Sequence, residues 1–152
     1  CLFVLAVETA MRLREMFTLT LAQVDLARKT IFLDKTKNGD KRQVPLSSVA
    51  LQVLRDYLPH AAEGQLFPWW DGQQKTLPAT SDYLSKLFAA IFIQAGAQSL
   101  RFHDLRHEAT SRLFERTRLT DLQIMRITGH KSHRMLMRYA NLRGSDLSEQ
   151  LW

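Results

Sequence analysis

Apolar side chains recur along this chain at helical spacing in most segments and at strand spacing in one. Leu2, Leu5, Ala6, Leu13 and Met16 lie on one face of a helix that runs to about Phe17. Thr20 with Gln23 forms a capping box for a short turn through Val24. Lys29 to Asp34 (KTIFLD) and Arg42 to Leu46 read as two strands around Asn38-Gly39. That dipeptide is a strong hairpin signal, because both residues tolerate positive φ. Ser47 or Ser48 caps a helix to about Leu58, stopped by Pro59, and residues 60–79 read as a long irregular loop.

The second half is more regular. Thr80 is expected to cap a helix through Ile93, with Leu84, Leu87, Phe88, Ile91 and Phe92 inward and Gly96 beyond its end. Phe102 opens a helix to about Arg116. Thr120 with Gln123 caps another, which stops at Gly129. Ser132 starts a helix that carries Tyr139, and Ser145 a last one ending in Leu151 and Trp152. The pattern predicts an α+β fold, predominantly α-helical, with a small antiparallel β-hairpin or sheet, in one domain spanning 1–152.

Composition narrows the class. A chain of 152 residues, 45% hydrophobic and 24% charged, buries a real core in a single domain. The longest apolar run, Leu2 to Val7, is too short to cross a bilayer, and no signal peptide is evident. Cys1 is the only cysteine, so no internal disulfide forms and a reducing, cytoplasmic setting is expected. The chain starts with Cys and is apolar at once, which reads as a piece of a longer protein. The net charge of +6 favours a polyanionic partner. Residues 1–58 carry 9 Lys/Arg against 6 acids and residues 101–152 carry 10 against 6, whereas 59–100 carry 2 against 3. Positive charge is concentrated in the two segments that hold the candidate chemistry, which points to nucleic acid.

That chemistry lies mainly between His103 and Tyr139. His103 and Arg106 share a helical face, where an imidazole and a bidentate guanidinium can meet one phosphate. A surface His and Arg explain the tetrapeptide equally well. His103 and His107 are also spaced for a metal pair. Asp104 rather than Glu follows the first His, however, and no Cys is near to complete a zinc site, so no metal or cofactor is expected. His130 follows Gly129 at a helix C-terminus, a position that favours an imidazole on structural grounds alone. Tyr139 among Met135, Leu136 and Met137 has a plain core reading, and Lys37 beside the turn a plain solvated one. Arg12 is the exception. On an apolar helix an unpaired charge is costly, and Glu15 three residues on is its natural partner.

Taken in order, these positions resemble the tyrosine recombinases, the phage-integrase superfamily of site-specific DNA recombinases. The stretch from Thr9 to Glu15 (TAMRLRE) is similar to that family's first arginine motif. TKNGDKRQVPL, Thr36 to Leu46, resembles its lysine hairpin and aligns the lysine with Lys37. His103-Asp104-Leu105-Arg106 matches the HxxR box, Gly129-His130 the Gly-His pair, and Tyr139 the nucleophile nine residues later. The resemblance spans essentially the whole chain. It departs from the family pattern at Ala10, where Gly is usual, and at Thr128, where Leu is usual; both leave the subfamily open.

The resemblance implies a catalytic domain that cleaves and rejoins double-stranded DNA without metal, cofactor or ATP. Tyr139 would attack the scissile phosphate to give a 3′-phosphotyrosyl link and a free 5′-hydroxyl. Arg12 and Arg106 would stabilise the pentavalent transition state, and Lys37 would protonate the leaving oxygen. His103 would accept or relay the tyrosine proton, His130 would hydrogen-bond the phosphate, and Glu15 would buttress Arg12. It further implies a homotetramer on two DNA sites when full length, an additional N-terminal DNA-binding domain, and no membrane association. Two alternatives stay open, a type IB topoisomerase-like relaxing activity and a catalytically inert DNA-binding module. A C-terminal helix bearing Leu142, Leu147, Leu151 and Trp152 would dock on a neighbour or fold back on its own core.

Overall fold

The computed structural model describes residues 1–34, 41–61 and 63–139. Seven α-helices occur among them: α1 (Leu2–Thr9), α2 (Leu13–Phe17), α3 (Ser48–Tyr57), α4 (Leu77–Gln94), α5 (Phe102–Arg116), α6 (Asp121–Thr128) and α7 (His133–Met137). Three short strands, β1 (Val24–Asp25), β2 (Thr30–Leu33) and β3 (Arg42–Pro45), form an antiparallel sheet in that order. The expected α+β class and the mainly helical content hold. The turn at Asn38-Gly39 and the helix expected from Ser145 lie outside the described residues.

The first expected helix is two. Ala10 adopts φ 54 at the C-cap of α1, so the chain breaks there and restarts at α2 with Arg12 in extended backbone as its N-cap. A left-handed conformation costs an L-residue roughly 1–2 kcal/mol, which gives a physical reason for glycine being usual at this position. Arg12 therefore stands not on an apolar helix face but at a break between two helices.

Other boundaries shift less. Thr20 and Gln23 do form a capping box, over a single 3-10 turn. Of the two serines, Ser47 caps α3, accepting from the Ala50 amide at 3.1 Å. Helix α4 starts at Leu77, before the expected cap; Pro78 occupies its first turn, and Thr80 lies inside, donating to Thr76 O. Leu84, Phe88 and Phe92 face inward as expected, whereas Ile91 is exposed at 45%. The pairing β1–β2 was not anticipated, because two residues are too few to show alternation.

The core gathers one face of each major element. Leu2, Leu5 and Ala6 of α1 pack with Leu51 and Leu54 of α3, Ile31 and Leu33 of β2, and Phe102 and Leu105 of α5. Phe88, Phe92 and Phe102 form an aromatic cluster, with Phe88 and Phe102 edge-on at 4.6 Å. A second cluster joins Phe17 to Leu77 and Leu84. Together these clusters clamp the α1–α2 break against α5 and α6, where the candidate chemistry lies.

Candidate active site

On α5 the buried residues are Phe102, Leu105, Arg106, Ala109 and Thr110, the spacing of a helical stripe. Arg106 thus occupies a core position and is only 4% exposed. Its guanidinium is satisfied by backbone. Nη1 donates to Ala10 O and Nη2 to Thr128 O at 2.7 Å, so one side chain stitches the α1–α2 break to the end of α6. Burial, with the neighbouring Arg12 charge, pushes its pKa down to about 10, which leaves it cationic at neutral pH.

Glu15 organises the other cations. Its carboxylate accepts from the Arg12 amide at 2.8 Å and from Arg12 Nη1 at 2.9 Å, as expected for its partner. It also takes a two-pronged contact from Arg42, Nη1 at 2.9 Å and Nη2 at 2.7 Å. Burial alone would raise the Glu15 pKa. The Arg42 hydrogen bond and charge, helped by Arg12, outweigh that effect and hold it below its ordinary value. Arg42 was missed in the sequence. It shares a strand face with Val44 at i+2, an inward register, and a charged residue there was the available signal.

Arg42 reaches α6 as well, donating from Nε to Ile127 O at 3.1 Å. Helix α6 ends at Gly129 with φ 71, where a Cβ would sit 2.7 Å from Arg42 Nη1. The glycine is required twice over, by backbone conformation and by this close approach. Arg12 Nη2 lies 3.5 Å from Gly129 O.

His130 follows that turn half-buried, its Nδ1 2.7 Å from Thr128 Oγ1. Burial, then the Arg106 and Arg12 charges, push its pKa down to about 4. Tyr139 lies just beyond α7, its ring 5.7 Å from that of His130. The phenol oxygen is hydrogen-bonded to His107 Nδ1. His107 stacks near Tyr139 at 5.5 Å and meets His103 edge-on at 4.8 Å. The sequence reading noticed His107 only as a metal-pair candidate, and nothing local in the sequence marks it as the partner of a residue 32 positions away.

Arg12, Arg106, His103, His130, Tyr139 and Glu15 thus share one region. His103 is its most solvent-exposed imidazole, and partial burial with the His107 and Arg106 charges lowers its pKa. A cleft of about 380 Å³ opens beside His103 and Arg106, lined also by Arg101, Ser81 and Ser85. Lys37 lies outside the described residues. Among those described, no group of His, Cys, Asp and Glu is arranged to hold a metal ion.

Arginines and imidazoles gathered around a tyrosine, in a domain of helices around a small sheet, are the arrangement of a tyrosine recombinase catalytic domain. The chain belongs to the phage integrase family, which it matches over residues 1–145. It is 37% identical over 150 residues to a shufflon-specific DNA recombinase of Escherichia coli, covering 99% of this chain and 36% of that protein. Its fold is similar to that of XerA recombinase, with TM-score 0.72 and 23% identity over 96% of this chain and 52% of that one. It is also similar to the catalytic domain of bacteriophage HP1 integrase, with TM-score 0.62 and 27% identity over 99% and 78%. The chain spans about a third of the length of its Escherichia coli relative. No helix among the described residues is long and apolar enough to cross a membrane.

Proposed function

We propose that this chain is the catalytic domain of a site-specific DNA recombinase, which breaks and rejoins strands through a covalent link to Tyr139. The observation that carries this reading is the convergence of Arg12, Arg106, His130 and Tyr139 from four separate segments into one cluster. A cluster of preorganised cations around a phenol suits a phosphodiester whose charge grows in the transition state.

In this mechanism Tyr139 Oη attacks phosphorus and the bond to the 5′-oxygen breaks, leaving a 3′-phosphotyrosyl link. The phosphodiester energy is kept in that link, so rejoining to a second strand needs no ATP. The phenolic proton passes to His107, the hydroxyl's partner in the resting arrangement, and His103 relays it towards solvent. This refines the role expected for His103. Arg12 and Arg106 stabilise the non-bridging oxygens, His130 contacts the phosphate, and Lys37 protonates the departing oxygen. Arg106 reaches the phosphate with N–H groups not already committed to Ala10 and Thr128. Glu15 holds Arg12 in place.

The likeness to whole recombinases supports a longer protein that acts in the cytoplasm as a homotetramer on two double-stranded DNA sites. The chain alone is expected to bind DNA weakly, with affinity falling steeply as salt rises. On a nicked suicide substrate the native chain should form a covalent adduct. Tyr139→Phe should form none while binding the same DNA nearly as well, and an adduct with the Phe variant would refute the assignment.

A further inference from the structure

The turn that presents His130 contains a hydroxyl whose hydrogen bonds can be counted. Thr128 is fully buried as the last residue of α6. Its Oγ1 lies 2.8 Å from Ile124 O, one helical turn back, and 2.7 Å from His130 Nδ1. A threonine hydroxyl has one proton to give and lone pairs to receive with. Ile124 O has no proton, so the hydroxyl proton must lie on that line; otherwise two oxygen lone pairs would face each other at 2.8 Å. Oγ1 is then left to accept, and the contact to His130 requires a proton on Nδ1. The left-handed Gly129 is what folds the ring of residue 130 back over the hydroxyl of residue 128.

We propose that Thr128 is a positioning residue that fixes His130 in one tautomer, with the proton on Nδ1 and the lone pair on Nε2. A free neutral imidazole prefers the opposite arrangement, and a hydrogen bond at one nitrogen decides which form is present. The ring is neutral at neutral pH. The groups around it are Arg106 and His107 from α5, Arg12 from the α1–α2 break, Arg42 from β3 and Tyr139 beyond α7. Burial and the Arg106, Arg12 and Arg42 charges disfavour a further charge. Nε2 therefore meets an incoming phosphate as a lone pair. It becomes a donor only after taking up a proton from solvent. The Nδ1–H bond to Thr128 is common to both states, so the ring titrates at Nε2 without turning over. The consequence for catalysis rests on the recombinase reading, whereas the tautomer itself does not.

The test is ring nitrogen NMR of the native chain at pH 7, beside Thr128→Val and Thr128→Ser. The native protein should show a protonated Nδ1 and an unprotonated Nε2 at His130. The Val variant should move towards Nε2–H, and the Ser variant should keep the native signature. On a nicked DNA substrate the Val variant should form the Tyr139 adduct roughly tenfold more slowly, the factor one hydrogen bond supplies, and Ser should restore the rate. A native signature with the proton on Nε2 overturns the proposal, as does a folded Val variant whose His130 is unchanged. If Val fails to fold, the native and Ser spectra still decide. A native Nδ1–H signature in a protein that forms no adduct upholds the tautomer and counts against the recombinase reading instead.

Discussion

The cation cluster and the tyrosine that faces it are held in the structure by different means. Glu15, Arg106 and the Arg42 side chain are buried, and the two guanidinium groups are tied to backbone carbonyls and to the Glu15 carboxylate. Tyr139 follows the five-residue α7, whose only buried side chain is Leu136, with Met135 and Met137 exposed at 50% and 42%. Helix α7 is fastened by the Ser132 cap, by His133 to Asp121 at 2.7 Å, and by the contact of Tyr139 with His107. Under the proposed mechanism the cations stabilise developing charge, a task that favours groups already fixed in the core. A nucleophile that must leave one partner and join another is better carried on a lightly packed element.

On that division, changes in the cation cluster are expected to cost stability along with activity, and changes at the tyrosine activity alone. Arg42→Ala is expected to have the largest effect. It leaves Glu15 buried with one partner fewer, which should destabilise the chain by about 3 kcal/mol in denaturant unfolding. Gly129→Ala comes next. It should cost at least about 1–2 kcal/mol from its left-handed backbone, more once Arg42 is displaced, and thermal melting reads both parts. Ala10→Gly should run the other way, stabilising by about 1 kcal/mol because glycine accepts φ 54 without strain.

The two regions also respond to pH. The folded His130 pKa of about 4 lies below its ordinary 6.5, so the unfolded chain binds more protons between those values. Stability should rise with pH through that window, and His130→Gln should flatten the rise. Glu15 acts lower down. Its folded pKa is depressed, so its contribution is present above its ordinary 4.5 and is lost as pH falls through the folded value. Tyr139→Phe should have the smallest effect on stability, within about 0.5 kcal/mol by thermal melting.

Much of this was legible in the sequence, for identifiable reasons. The pair at Glu15 was readable because both partners lie within one helical turn, and α6 because Thr120 and Gly129 mark its two ends chemically. The break at Ala10 was not, since alanine is the strongest helix former and tertiary packing overrides it here. The Arg42–Glu15 contact spans 27 positions and the His107–Tyr139 contact 32, distances over which periodicity carries no information. Arg106 read equally well as a surface residue and Arg42 was passed over, although each stands at the spacing of buried neighbours. Their partners became visible only once α1, α5 and α6 were brought together.

The central claim is a covalent bond between DNA and Tyr139, made without metal. Incubating the chain with a nicked suicide substrate in excess chelator, digesting, and mapping the DNA-bearing peptide tests it most directly. One adduct is expected, on Tyr139 and undiminished by chelation. An adduct on another residue, or strand cleavage that requires added divalent metal, would contradict it.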